Sequence, residues 1–182
     1  MRLVSTALPA LALLVSGGAH AARCTAIDAR IATNLSACSA RNPSPVGLCT
    51  VGTVDSGPLA GTTSFVASTF TPTHVQNVFH YTGKLTITTP SGTLTIRDRG
   101  VLDLGTATVK GRYFEFEKVV DGTGAFAGAE GMLTSQGDVD AVTFTFTGSL
   151  TGKVCRPGRN RDHDGNDDDD DDSADAEDGA AE

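Results

Sequence analysis

From Val119 to Leu133 the chain reads Val-Val-Asp-Gly-Thr-Gly-Ala-Phe-Ala-Gly-Ala-Glu-Gly-Met-Leu, a set of small-residue hinges around one phenylalanine. Glycines so placed raise the idea of a phosphate cradle. The spacing is G-x-G-x-x-x-G instead of G-x-G-x-x-G, and the residues after it are strand-like where a cradle would open a helix. The nucleotide reading fails on both counts. Gly122, Thr123, Gly124, Gly128 and Gly131 instead fit a tight β corner that needs positive φ or close backbone approach, with Phe126 plugging the end of a core.

The flanking chain agrees with a sheet. Runs of alternating or β-branched residues, punctuated by turn signals, place strands at Thr50 to Ser56, Thr63 to Thr71, Asn77 to Thr88, Thr93 to Asp98, Gly100 to Asp103, Gly111 to Val120, Gly131 to Gly137, Asp140 to Thr147 and Ser149 to Cys155. Ala26 to Leu35 is the one segment left open to a helix. The expected fold is all-β, an antiparallel sheet closed into a barrel so that no edge is exposed.

At this point the chain resembles a known group. Val-Val-x-Gly-Thr-Gly-x-Phe-x-Gly-Ala-x-Gly is similar to the signature of the dirigent and allene oxide cyclase superfamily of small calycin-like barrels. Gly100-Val101-Leu102-Asp103 and the hairpin from Leu85 to Ile96 resemble the paired strands before that signature in bacterial members. The resemblance covers Gly61 to Cys155 and implies a barrel domain over 61–155, preceded by a Cys-bearing segment over 23–60. It implies a small apolar or amphipathic ligand, or an isomerase that steers ring closure or coupling of an unsaturated substrate through cavity shape. Dimers and trimers occur among the similar proteins, so an oligomer stays open.

Alternation sorts the candidate ligand contacts. Leu94, Ile96 and Asp98 share one face of their strand, and Thr93, Thr95, Arg97 and Arg99 the other. Arg112, Phe114, Phe116 and Lys118 alternate with Tyr113, Glu115, Glu117 and Val119. Tyr81, Leu94, Ile96, Phe114, Phe116, Phe144 and Phe146 are the residues expected to line a ligand cavity. Asp98 is the candidate catalytic residue, because a carboxyl among apolar side chains has its pKa raised toward acid-base work. The plainer alternative puts it at a strand end, in the Arg97-Asp98-Arg99-Gly100 turn, solvated or paired with arginine. His80 and Glu115 are weaker candidates, and His80 and Tyr81 point to opposite faces. Asp103 resembles an acidic position of the superfamily but equally caps a turn before Gly105. No nucleophile-elbow G-x-S-x-G is present.

The ends differ from the middle. Met1 to Ala22 reads as a secretory signal: Arg2, an apolar run from Leu3 to Val15, and Ala19-His20-Ala21 for cleavage. The run is too short for a membrane span, so a secreted or periplasmic protein of bacterial style is expected. Four cysteines then favour two disulfides over free thiols, and no zinc spacing joins them to histidine. Three pairings are open; Cys38 with Cys49 and Cys24 with Cys155 are favoured, the latter contributing about 4 kcal/mol through chain entropy.

The net charge of −8 is concentrated in a C-terminal tail, 156–182, which carries −9 while everything before it carries +1. The folded part therefore has no electrostatic footprint for nucleic acid or anionic membrane, and the tail composition is that of a disordered segment. Asp162, Asp164, Asn166 and Asp168 place oxygen ligands at alternate positions, resembling part of a calcium loop. Gly165 is one position out of register, and the twelfth-position Glu is missing. Weak calcium or mineral binding there is the only cofactor expectation, and it opens a third reading, a structural or surface protein that works through its acidic tail; a solvated tail without a ligand is the alternative.

Overall fold

The computed structural model describes residues 22–106 and 110–157. The signal segment 1–21 and the acidic tail, with Asp162, Asp164, Asn166 and Asp168, lie outside the described residues. Eight strands follow in order: β1 (Arg23–Ser36), β2 (Cys49–Val54), β3 (Gly61–Pro72), β4 (Val78–Thr89), β5 (Gly92–Asp103), β6 (Gly111–Gly122), β7 (Glu130–Asp140) and β8 (Thr145–Arg156). Each pairs antiparallel with the next, and β8 returns to β1, closing the barrel. The seam runs over twelve residue pairs, from Arg23 opposite Arg156 to Asn34 opposite Thr145.

Four expectations change. Ala26 to Leu35 is strand, with Ile27, Ala29 and Ile31 buried and Asp28 and Arg30 exposed. Alanine-rich composition favours helix, but hydrogen bonding to β2 on one side and β8 on the other decides the conformation. The Cys-bearing segment 23–60 is therefore not an appendage to a barrel over 61–155. It supplies two of the eight staves. The runs expected at 93–98 and 100–103 are one strand, β5. The strand expected at Asp140 to Thr147 is broken by a turn over 141–144, where Asp140 Oδ1 accepts the backbone N–H groups of Val142 and Thr143 and Phe144 takes φ +51°.

The two ends of the barrel are built differently. At one end Leu59, in a 3-10 turn (Gly57–Leu59), and Phe126, in another (Gly124–Phe126), are buried and cap the core. Gly124 has φ +58° and a β-carbon there would fall 2.4 Å from the Ser91 carbonyl oxygen, so the glycine-rich segment forms a tight corner. Below these caps Ile87, Leu94, Ile96, Leu133 and Leu150 fill the barrel axis. Both disulfides form as favoured, Cys24–Cys155 tying the outer strands at the capped end and Cys38–Cys49 anchoring the β1–β2 loop at the other. No described cysteine is free. Bridged cysteines fit a chain that meets an oxidising compartment. No helix among the described residues is long and apolar enough to cross a membrane.

Candidate functional site

Toward the end opposite the caps the axial packing stops, leaving a cavity of about 50 Å³. That is room for a few waters or one end of a small molecule. Its apolar wall comes from Ile31, Leu48, Phe65, Phe70, Leu85, Leu102 and Phe146. Leu48 is delivered by the β1–β2 loop, which Ser44 pins in place by donating to the Ala67 carbonyl and accepting the Leu48 N–H. The rings lock one another edge to face, Phe65 on Tyr81 at 5.9 Å and Tyr113 on Phe146 at 5.7 Å between centroids.

The opposite wall is polar and comes from consecutive strands. Tyr81 on β4, Asp98 on β5, Tyr113 and Glu115 on β6 and Ser135 on β7 all face the cavity. The register explains the cluster: Asp98 lies opposite Glu117, Gly100 opposite both Tyr81 and Glu115, and Glu115 opposite Ser135. Gly100 makes the space, since a β-carbon there would sit 2.5 Å from the Tyr81 ring. The Tyr81 hydroxyl donates to Glu115 Oε1. Asp98 and Ser135 also act on the Glu115 carboxyl, favouring its charged form, and Ser135 Oγ donates to the Tyr113 hydroxyl at 3.4 Å.

Electrostatically the cluster is one-sided. Asp98 is 2% exposed and Glu117 fully buried, while every described lysine and arginine except Arg156 is exposed. Arg156 is at the capped end, with its guanidinium over Phe126. Burial, reinforced by Glu115 and Glu117, pushes Asp98 up to about 10, the Arg99 backbone N–H opposing it only weakly. Burial also raises Glu115, against hydrogen bonds from Tyr81 and Ser135, and holds Glu117 well above the usual carboxylate range. The hydroxyls of Tyr81 and Tyr113 are raised by the same desolvation. At neutral pH Asp98 is thus held as a carboxylic acid, and the same burial drives Glu117 in the same direction.

Of the residues singled out from sequence, Asp98, Tyr81, Phe146 and Glu115 meet at the cavity. Asp98 sits in the middle of a twelve-residue strand, not in a turn. Leu94 and Ile96 are buried nearer the caps and do not line the cavity. Phe114 and Phe116 overturn the expectation most directly: they stand on the outer face, 37% and 55% exposed, packed edge to face on each other. The acidic residues of β6 face in because Tyr113 and Val119, on the same parity, are the ones buried. Phe144 occupies the β7–β8 turn and not the cavity. His80 is exposed, and Asp103 accepts the Gly105 N–H, the turn-capping role. Glu117, Tyr113 and Ser135 were missed. Comparison with family models, curated proteins and solved structures finds no match.

Proposed function

We propose that this barrel is an exported small-molecule-binding protein of the dirigent and allene oxide cyclase kind. The observation carrying the proposal is the asymmetric cavity, with an apolar wall that includes Ile31, Phe65, Phe70 and Phe146 and a polar one of Tyr81, Asp98, Glu115 and Ser135. Such a pocket accepts an apolar body and orients one polar group. The capped end, closed by Leu59 and Phe126, restricts entry to the opposite end. Native mass spectrometry of the mature protein from its own host tests this. One retained small molecule per chain is expected, displaced in Thr50→Trp, whose indole fills the cavity. A barrel that comes through empty, and takes up no apolar dye at this site, overturns the reading.

A second reading is an isomerase or cyclase, with Asp98 as general acid. It is favoured by the position of Asp98: buried, facing the cavity and protonated at neutral pH. Turnover of an unsaturated ligand that is abolished in Asp98→Asn and retained in Thr95→Ala supports it; equal turnover in both removes it.

A further inference from the structure

We propose that Asp98, Glu115 and Glu117 form the binding site of a hard divalent cation of the magnesium, manganese and calcium class, at the base of the cavity. The site goes beyond ligand binding by the barrel and does not depend on it.

Carboxylate oxygens of the three residues all lie within 4.8 Å of one another. Two oxygens on opposite sides of a calcium-sized ion, each at about 2.4 Å, are separated by about that distance. The convergence is built into the register, since Asp98 and Glu117 are directly opposed on adjacent strands and Glu115 is two residues along the same face. A second observation is independent of proximity. Both carboxyl oxygens of Glu117 and Oδ1 of Asp98 are buried without any hydrogen-bond partner. An unpartnered buried polar atom costs about 1–3 kcal/mol, and a fold that leaves three of them together is incomplete without something between them.

A cation completes it best. Among the described residues every lysine and histidine is exposed and the one arginine that is not, Arg156, lies at the capped end, so none of them supplies a positive charge to the cluster. Glu117 does not line the cavity, so an organic ammonium entering from the mouth meets Asp98 and Glu115 before it, whereas a bare ion fits among all three. Among the described residues the group is made of carboxyls, with phenol and hydroxyl oxygens of Tyr81, Tyr113 and Ser135 on the same wall, a donor set that selects hard cations over zinc or copper. The ion's cavity side then stays open to water or to an oxygen of whatever the cavity holds.

The chain offers a local reporter. It has no tryptophan and two tyrosines, and both tyrosines line this cavity. Terbium(III), an oxygen-seeking ion, emits when excited through a tyrosine beside it. Titrated into the full mature chain, terbium is expected to give tyrosine-sensitised emission saturating at one ion per chain and competed away by manganese or calcium. Glu117→Gln, with the shape retained, is expected to weaken that binding at least tenfold, and Asp98→Asn likewise, each variant first checked for its strand circular dichroism. Should either variant fail to fold, the wild-type melting temperature decides: manganese raises it over the chelator-treated protein if the ion sits in the fold. Adsorption to the acidic tail leaves melting unchanged, because folded and unfolded chains then bind alike. Absence of sensitised emission, emission indifferent to both substitutions, or a melting temperature blind to manganese overturns the proposal. None of these outcomes alters whether a small molecule is retained, so the two proposals fail separately.

Discussion

Asp98 and Glu117 face each other across β5 and β6 with both carboxyl pKa values raised by burial, and that fixes how the fold responds to pH. A carboxyl whose folded pKa is raised stabilises the fold fully below its unfolded value, near 4, and loses that contribution as pH climbs toward the folded value, about 10 for Asp98. Between those limits each such group lowers stability by up to about 1.4 kcal/mol per pH unit. Urea unfolding in chelator is therefore expected to show a less stable protein at pH 8 than at pH 5, with the slope flattened in Glu117→Gln; equal slopes in the two proteins contradict the assignment. The sequence made Asp98 visible because Leu94 and Ile96 share its parity. It concealed Glu117, because in β6 both parities contain apolar and charged residues, and the rule that phenylalanine goes inside picks the wrong face. The usable signal was Tyr113 and Val119 on the parity of the two glutamates, together with Gly100 on the neighbouring strand, where a missing side chain leaves room for a ring.

Between elements, close approach is what holds the polar wall in place. A methyl group at Gly100 would lie 2.5–2.6 Å from the ring and hydroxyl of Tyr81. Gly100→Ala is thus expected to cost about 1–3 kcal/mol and to swing Tyr81 off Glu115, seen as weaker ligand retention and a changed tyrosine absorbance. At the capped end, Gly124→Ala adds a β-carbon at φ +58° and 2.4 Å from the Ser91 carbonyl oxygen. A loss of at least about 1 kcal/mol follows from the backbone conformation alone, measurable as a lower unfolding midpoint in denaturant. That corner was readable from glycine spacing because positive φ leaves a compositional mark. The conformation of β1 was not: a ten-residue alanine-containing run satisfies helix and strand alike, and only its partners, β2 from nearby and β8 from the far end of the chain, settle the matter. The same holds for the β7–β8 hairpin. Its turn places a phenylalanine at positive φ instead of a glycine or asparagine, so the usual marker of a two-strand reversal is missing.

At the scale of the whole molecule, closure rests on contacts between the two ends of the described chain. Cys24 and Cys155 are 131 residues apart in sequence, and their bridge locks the seam between β1 and β8. Replacing both with alanine is expected to cost about 2–5 kcal/mol, a larger loss than removing Cys38–Cys49, which spans eleven residues; comparative thermal melts of the two double variants check the order. The seam also dictates a sequence of events. Until the final stave exists, β1 has only the short β2 beside it and an unpaired edge on its other side, so the first strand synthesised waits for the last. Folding governed by such distant pairing is slow, and a growing chain of this design cannot close its barrel until the last strand has been made.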